Sequence, residues 1–186
     1  YYFAPSATVE FSPRTALTLL ASVQRESGTP TNGFLPAYGT IIGTPYGFVN
    51  RETNMGEPDF DHLKRTQTNA GWQLRHELSS DWSFTQNYKF TRINLDQRNV
   101  FAWSSDNDRQ ALRGYSFTQG NTRNHYLDNR LSGVMQWGDT KFSPTVGLDY
   151  LRSDTEGQNN GFGFVMQIDM FAPVYGPTTT LSPTPY

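Results

Sequence analysis

The stretch "AGWQLRHELSSDWSFTQNYKF", Ala70 to Phe90, decides the fold. Its first half sets Ala70, Trp72, Leu74, His76 and Leu78 on one side of an extended chain. Gly71, Gln73, Arg75 and Glu77 take the other. "SSD" (Ser79 to Asp81) punctuates the run. Trp82, Phe84, Tyr88 and Phe90 then alternate with Ser83, Thr85, Asn87 and Lys89, and Gln86 interrupts the apolar side. Period two on both sides of a short polar turn is the mark of a β-hairpin with one apolar and one wet face.

The same pattern recurs on either side. Upstream, Phe3, Ala7, Val9 and Phe11 share a face opposite Ser6, Thr8 and Glu10. "SPRT" (Ser12 to Thr15) turns the chain, and Leu17, Leu19, Ala21 and Val23 return opposite Thr18, Ser22 and Gln24, with Leu20 the exception on the polar face. Downstream, Leu127, Leu131, Gly133, Met135 and Trp137 oppose Asp128, Arg130, Ser132 and Gln136. "GDTK" (Gly138 to Lys141) leads into Phe142, Val146, Leu148 and Tyr150, opposite Ser143, Thr145 and Asp149. Pro144 falls in this last strand, where it removes one ladder donor. The reading is all-β: about six antiparallel strands in three hairpins, with no window of helical periodicity.

Turns within hairpins take three or four residues, whereas the connections between hairpins are many times longer. Compact domains usually manage with ~4–6. Short turns at one end and long loops at the other is the pattern of a transmembrane β-barrel, in which strands of ~9–11 residues turn alternate side chains to lipid. Phe11, Trp82, Trp137 and Phe142 crowd the short turns, where an interfacial aromatic girdle belongs. A soluble carbohydrate-binding β-sandwich and a passive porin-like or adhesin barrel are the alternatives.

Composition narrows the function classes. The chain has 186 residues, 15% aromatic but only 35% hydrophobic, with net charge -2 and no cysteine. Scattered Lys and Arg offer no nucleic-acid stripe. A disulfide framework and a Cys-ligated metal are impossible. No spacing of Ser, His and Asp reads as an enzyme site, and three unclustered His argue against a zinc enzyme. The acidic run "EPDFDH" (Glu57, Asp59, Asp61, His62) reads as a solvated or divalent-bridging loop rather than a built metal site. Six strands cannot close around a lumen, since about eight are needed merely to fill one. A strand-like start and a Pro-rich tail fit a segment of a longer barrel.

Three stretches resemble the TonB-dependent siderophore receptors, in the ferrichrome and hydroxamate branch. They are "APSATVEFSPRTALTLLASVQRESGTPTNGFLPAYGT" (Ala4 to Thr40), "WSFTQNYKFTRINLDQRNVFAW" (Trp82 to Trp103) and "VGLDYLRSDTEGQNNGFGFVMQIDMFAPVYG" (Val146 to Gly176). The P-x-T-x-L-T turn, the aromatic-Leu-Pro-x-x-Gly-Thr loop and the D-x-F-A-P strand end carry the likeness. The resemblance implies an outer-membrane barrel of about 22 strands, plugged by an N-terminal domain. Residues 1–186 would all be barrel wall. The plug and the box that contacts TonB would lie outside this chain.

The resemblance also implies a ligand and a place for it. A ferric hydroxamate arrives with its iron fully ligated, so the receptor supplies aromatic surface and hydrogen-bond donors rather than metal ligands or a cofactor. Phe34 matches the family's loop aromatic before Leu-Pro. Phe101 and Trp103 match its pair at the top of a later strand, and Phe162 or Phe164 falls near a further aromatic in the next loop. Tyr38 either assists Phe34 or holds the loop down. The family's second loop aromatic is Asn32 here, a clue that the ligand differs from ferrichrome. If the alternation runs unbroken from Ser83, Phe101 and Trp103 face the lumen, together with Ile93 and Leu95 unless a bulge near Arg92 shifts the register. The implied partners are a ferric siderophore, the TonB complex, and outer-membrane lipid with lipopolysaccharide; phage or bacteriocin use stays open.

Overall fold

The computed structural model describes residues 1–30, 34–105 and 108–176, with the backbone alone for 103–105 and 158–162. Among these the chain is strand and turn, without a helix. The strands are β1 (Tyr2–Phe3), β2 (Ser6–Ser12), β3 (Thr15–Gly28), β4 (His62–Glu77), β5 (Trp82–Ser105), β6 (Gln110–Gly133), β7 (Met135–Trp137), β8 (Thr140–Phe142) and β9 (Thr145–Asp169). One antiparallel sheet takes them in the order β1-β3-β4-β5-β6-β9, and β2 also pairs β3. The first strand is broken at Ala4–Pro5, so six strand positions are occupied, as the periodicity implies. Near Pro144 the last hairpin is interrupted, and β7 and β8 form a separate ribbon around the Gly138 turn.

The alternation is realised. Phe3 pairs Val23, Ala7 pairs Leu19 and Val9 pairs Leu17 on the apolar face, while Thr8 pairs Thr18 on the other, their hydroxyls 2.9 Å apart. The register slips between Glu10 and Ser12, a bulge just before the turn. The bulge envisaged near Arg92 is not needed. Arg92 and Asn94 are exposed while Ile93 and Leu95 are half-buried, so the alternation runs on.

Two expectations on connection length are corrected. The link from β3 to β4 is long, but β5 ends at Ser105 and β6 begins at Gln110, so the second supposed loop is hairpin nearly to its tip. Asp108 in that tip has φ 60, a left-handed value that Asp tolerates better than most residues. Likewise "GFGF" lies inside β9, not in a loop. Gly163 suits a strand there because the Tyr115 ring occupies the space where a Cβ would project.

Contacts divide the chain into two compact units. The first comprises residues 1–25, 66–94 and 121–156; the second comprises 26–65, 95–120 and 157–186. In the first unit the polar face is knitted side chain to side chain. Asn69 donates to Ser22 at 2.8 Å and accepts from Thr91 at 2.8 Å, and Asn87 donates to Asp128 at 2.9 Å. Ser22, Gln24, Asn69, Lys89 and Arg130 line a cavity of about 830 Å³.

The opposite face of this unit accommodates its polar exceptions by pairing them. Trp72 Nε1 donates to Gln86 Oε1 at 3.1 Å, and Gln86 Nε2 donates to Asn129 Oδ1 at 2.9 Å. His76 Nδ1 meets Thr15 Oγ1 at 2.8 Å. A paired amide on an apolar face loses far less than an orphaned one. Among the described residues the only other sheet is the β7–β8 ribbon, so this face lacks the second layer of a sandwich.

The buried hydrophobic cluster lies in the second unit: Met55, Ala102, Ala111, Ile168 and Met170, with Val49 and Phe171 against it. It joins the β3–β4 loop to the ends of β5, β6 and β9. Asn99, Val100, Phe101 and Ala102 are consecutive and all buried, so both faces of β5 are covered here.

Candidate functional site

The β3–β4 loop is folded rather than loose. In "PAYGT" the amides of Ile41 and Ile42 both donate to the Ala37 carbonyl at 2.9 Å, and the Thr40 hydroxyl donates to Pro36 O. Gly39 adopts φ +84, a conformation that disfavours any residue with a Cβ, and its carbonyl accepts the Val49 amide at 2.8 Å. Pro36 and Gly39 are buried, which fixes this knot. Phe34, two residues before Pro36, stands out of it with 61% of its surface exposed.

Phe34 meets Phe101 of β5. Their ring centroids are 5.5 Å apart at an interplanar angle of 72°, an edge-to-face arrangement. The pair borders a cavity of about 270 Å³, into which Asn54, Asp61 and Asn99 also face. Two of the aromatics singled out from the sequence, one in a loop and one on a strand, thus share one cavity.

The other candidates fare differently. Trp103 lies in β5 two residues beyond Phe101, and Phe162 lies in β9, but the side chains of both are outside what is described, as is the whole of Asn32. Tyr38 is 47% exposed, pairs with Ile42 in a single bridge, and does not line the cavity. Phe164 is 69% exposed on β9 and does not line it either.

A clamp that the sequence did not disclose holds the loop. Arg113 of β6 reaches Glu57 at 2.9 Å, with both side chains nearly inaccessible. The same guanidinium donates to Gly56 O at 3.0 Å and to Met166 O at 2.9 Å. Asp61 accepts the Val100 amide at 2.7 Å and the Glu57 amide at 3.0 Å. Burial nevertheless dominates at Asp61 and raises its pKa above the ordinary 3.8. Glu57 and Asp61 of the acidic run are thus committed to the loop's own structure. Arg113 carried no local signal, because its partners are remote in sequence. Tyr175 adds a tie, its hydroxyl donating to Asn54 O at 2.9 Å.

Comparison with known proteins agrees with this geometry. A family model described as "TonB dependent receptor-like, beta-barrel" matches residues 3–183. The ferrioxamine B receptors of Salmonella typhimurium strains SL1344 and LT2 are each 29% identical over 177 residues, 95% of this chain and 25% of theirs. The chain therefore spans about a quarter of the length of these relatives. The crystal structure of the ferric-catecholate import receptor Fiu from E. coli K12, in its open form, superposes with a TM-score of 0.81 at 14% identity, over 95% of this chain and 30% of that one. The likeness to Fiu is one of fold. The chain belongs to the TonB-dependent receptor-like β-barrel family, and with it to the outer membrane of Gram-negative bacteria.

Proposed function

We propose that this chain is part of the barrel wall of a receptor that binds a ferric siderophore, of hydroxamate type, outside the cell and takes part in its TonB-driven import. The observation that carries the reading is the Phe34–Phe101 pair at the border of a cavity built between loop and strand. A compact, already-ligated iron complex needs flat apolar surface and a few donors, and this arrangement offers both. The hydroxamate class is supported by the relatives' name, ferrioxamine B receptor. Phe34, Phe101 and Trp103 are the proposed primary contacts, with Tyr38, Phe162 and Phe164 as secondary ones.

The import step would depend on a plug domain and TonB contact outside residues 1–186. The apolar strand face would meet outer-membrane lipid and lipopolysaccharide. The test uses the full-length receptor in detergent, titrated with ferrioxamine B and followed by tryptophan fluorescence. Saturable quenching, with iron uptake that requires TonB, supports the reading. Full-length receptor that binds neither ferrioxamine B nor ferrichrome removes the hydroxamate class.

A further inference from the structure

Within the cavity beside Phe34 and Phe101, two polar side chains accept backbone amides. Asp61 takes a backbone amide on each oxygen, and Asn54 Oδ1 accepts the Gly56 amide at 2.8 Å. Asn99 is different. It is 4% exposed and lines the cavity, and its carboxamide Oδ1 accepts the Ser116 hydroxyl at 2.6 Å. With Oδ1 held by the Ser116 hydroxyl, the Nδ2 donors are left to the cavity side. These donors are not sealed away but open to the cavity, where a ligand oxygen can take the place of water.

We infer that Asn99 is a specificity-determining residue, whose Nδ2 donates to an oxygen on one edge of the bound chelate, and that Ser116 positions it. This rests on the ferric-siderophore reading and sharpens it. The cavity, at about 270 Å³, is smaller than the ~300–1,000 Å³ of sites that enclose a drug-sized ligand. It therefore takes one arm of the complex rather than the whole. An arm carrying negatively polarised oxygens, such as a hydroxamate or an amide carbonyl, matches the Asn99 donors, while Phe34 and Phe101 pack against its apolar linker. Ser116 does not line the cavity, so it acts only through Asn99.

The experiment uses full-length receptor and ferrioxamine B, read by tryptophan quenching, with thermal unfolding alongside. Asn99→Asp keeps the shape and replaces the donors by acceptor oxygens. It is expected to weaken binding about tenfold or more, as expected when a buried hydrogen-bonding position is mispaired. Ser116→Ala frees the amide to turn and is expected to weaken binding several-fold, with Ser116→Thr restoring it. Should Asn99→Asp fail to fold, the Ser116 pair decides. Binding within about twofold of the unmodified receptor in every folded variant overturns the role of Asn99. Absence of binding by the unmodified receptor overturns instead the reading on which it rests.

Discussion

Arg113 and Glu57 close on each other at 2.9 Å with side chains only 3% and 6% exposed. The bridge ties the far end of the β3–β4 loop to β6, on the loop that also carries Phe34. Removing one partner of a buried ion pair strands the other charge, at about 3–5 kcal/mol. Arg113→Met in the full-length receptor should therefore release the loop end. Hydrogen exchange should report it at the Phe60 and Asp61 amides, which both donate to Glu57 O. Arg113→Met combined with Glu57→Met should recover most of the protection. Unchanged exchange in the single variant would mean that the bridge does not hold the loop.

The same loop end should respond to pH through Asp61. Its pKa in the folded state is raised, with burial the largest cause. The folded loop then binds the proton more readily than the open one. Its contribution to closure is fully present below 3.8 and is lost as pH rises through the raised value. Protection of the loop amides, corrected for intrinsic exchange, should thus decline as pH rises above the ordinary carboxylate value. Asp61→Asn should flatten that decline. A wild-type slope of opposite sign would mean that the amide hydrogen bonds from Val100 and Glu57 outweigh burial.

The Phe34–Phe101 contact makes a double-mutant cycle informative. Phe34→Ala and Phe101→Ala should each weaken ferrioxamine B binding by ~1–3 kcal/mol, the scale of aromatic hot spots. Together they should fall short of the sum by ~0.5–1.5 kcal/mol, since each ring supports the other. Trp103→Ala should act in the same direction. Unaltered affinity in all three would remove these rings from the site.

The apolar strand face offers a test of its surroundings. Leu74 on β4 and Leu131 on β6 lie on it. Arg at either position should destabilise the barrel folded into bilayers by ~2–4 kcal/mol if that position lies near the midplane. Urea titration in liposomes measures the effect. Equal stability would place those residues away from lipid.

The parts of the fold legible in the sequence were those governed by neighbours. In Ala70 to Phe90 each residue's face follows from the one before it, so the hairpin and its polar side could be read directly. Gln86 and His76 are polar side chains on an otherwise apolar face. Their partners, Trp72, Asn129 and Thr15, lie on adjacent strands and cancel the cost. The upper reaches of β5, β6 and β9 were misread as loops for a related reason. Where Asn99 to Ala102 are buried on both faces, the contrast between wet and apolar positions vanishes and period two goes silent.

Sequence alone thus determined that this chain forms antiparallel strands with one polar and one apolar face, and which aromatics deserved suspicion. It did so because alternation and turn chemistry are local. Only the tertiary structure decided which of those aromatics meet, joining Phe34 to Phe101 and leaving Tyr38 apart from their cavity. The same holds for buried polar pairs: Arg113 of β6 meets Glu57 of the β3–β4 loop, and Ser116 donates to Asn99 beside the cavity. Such pairings depend on how distant strands are brought side by side, and no periodicity along the chain records that.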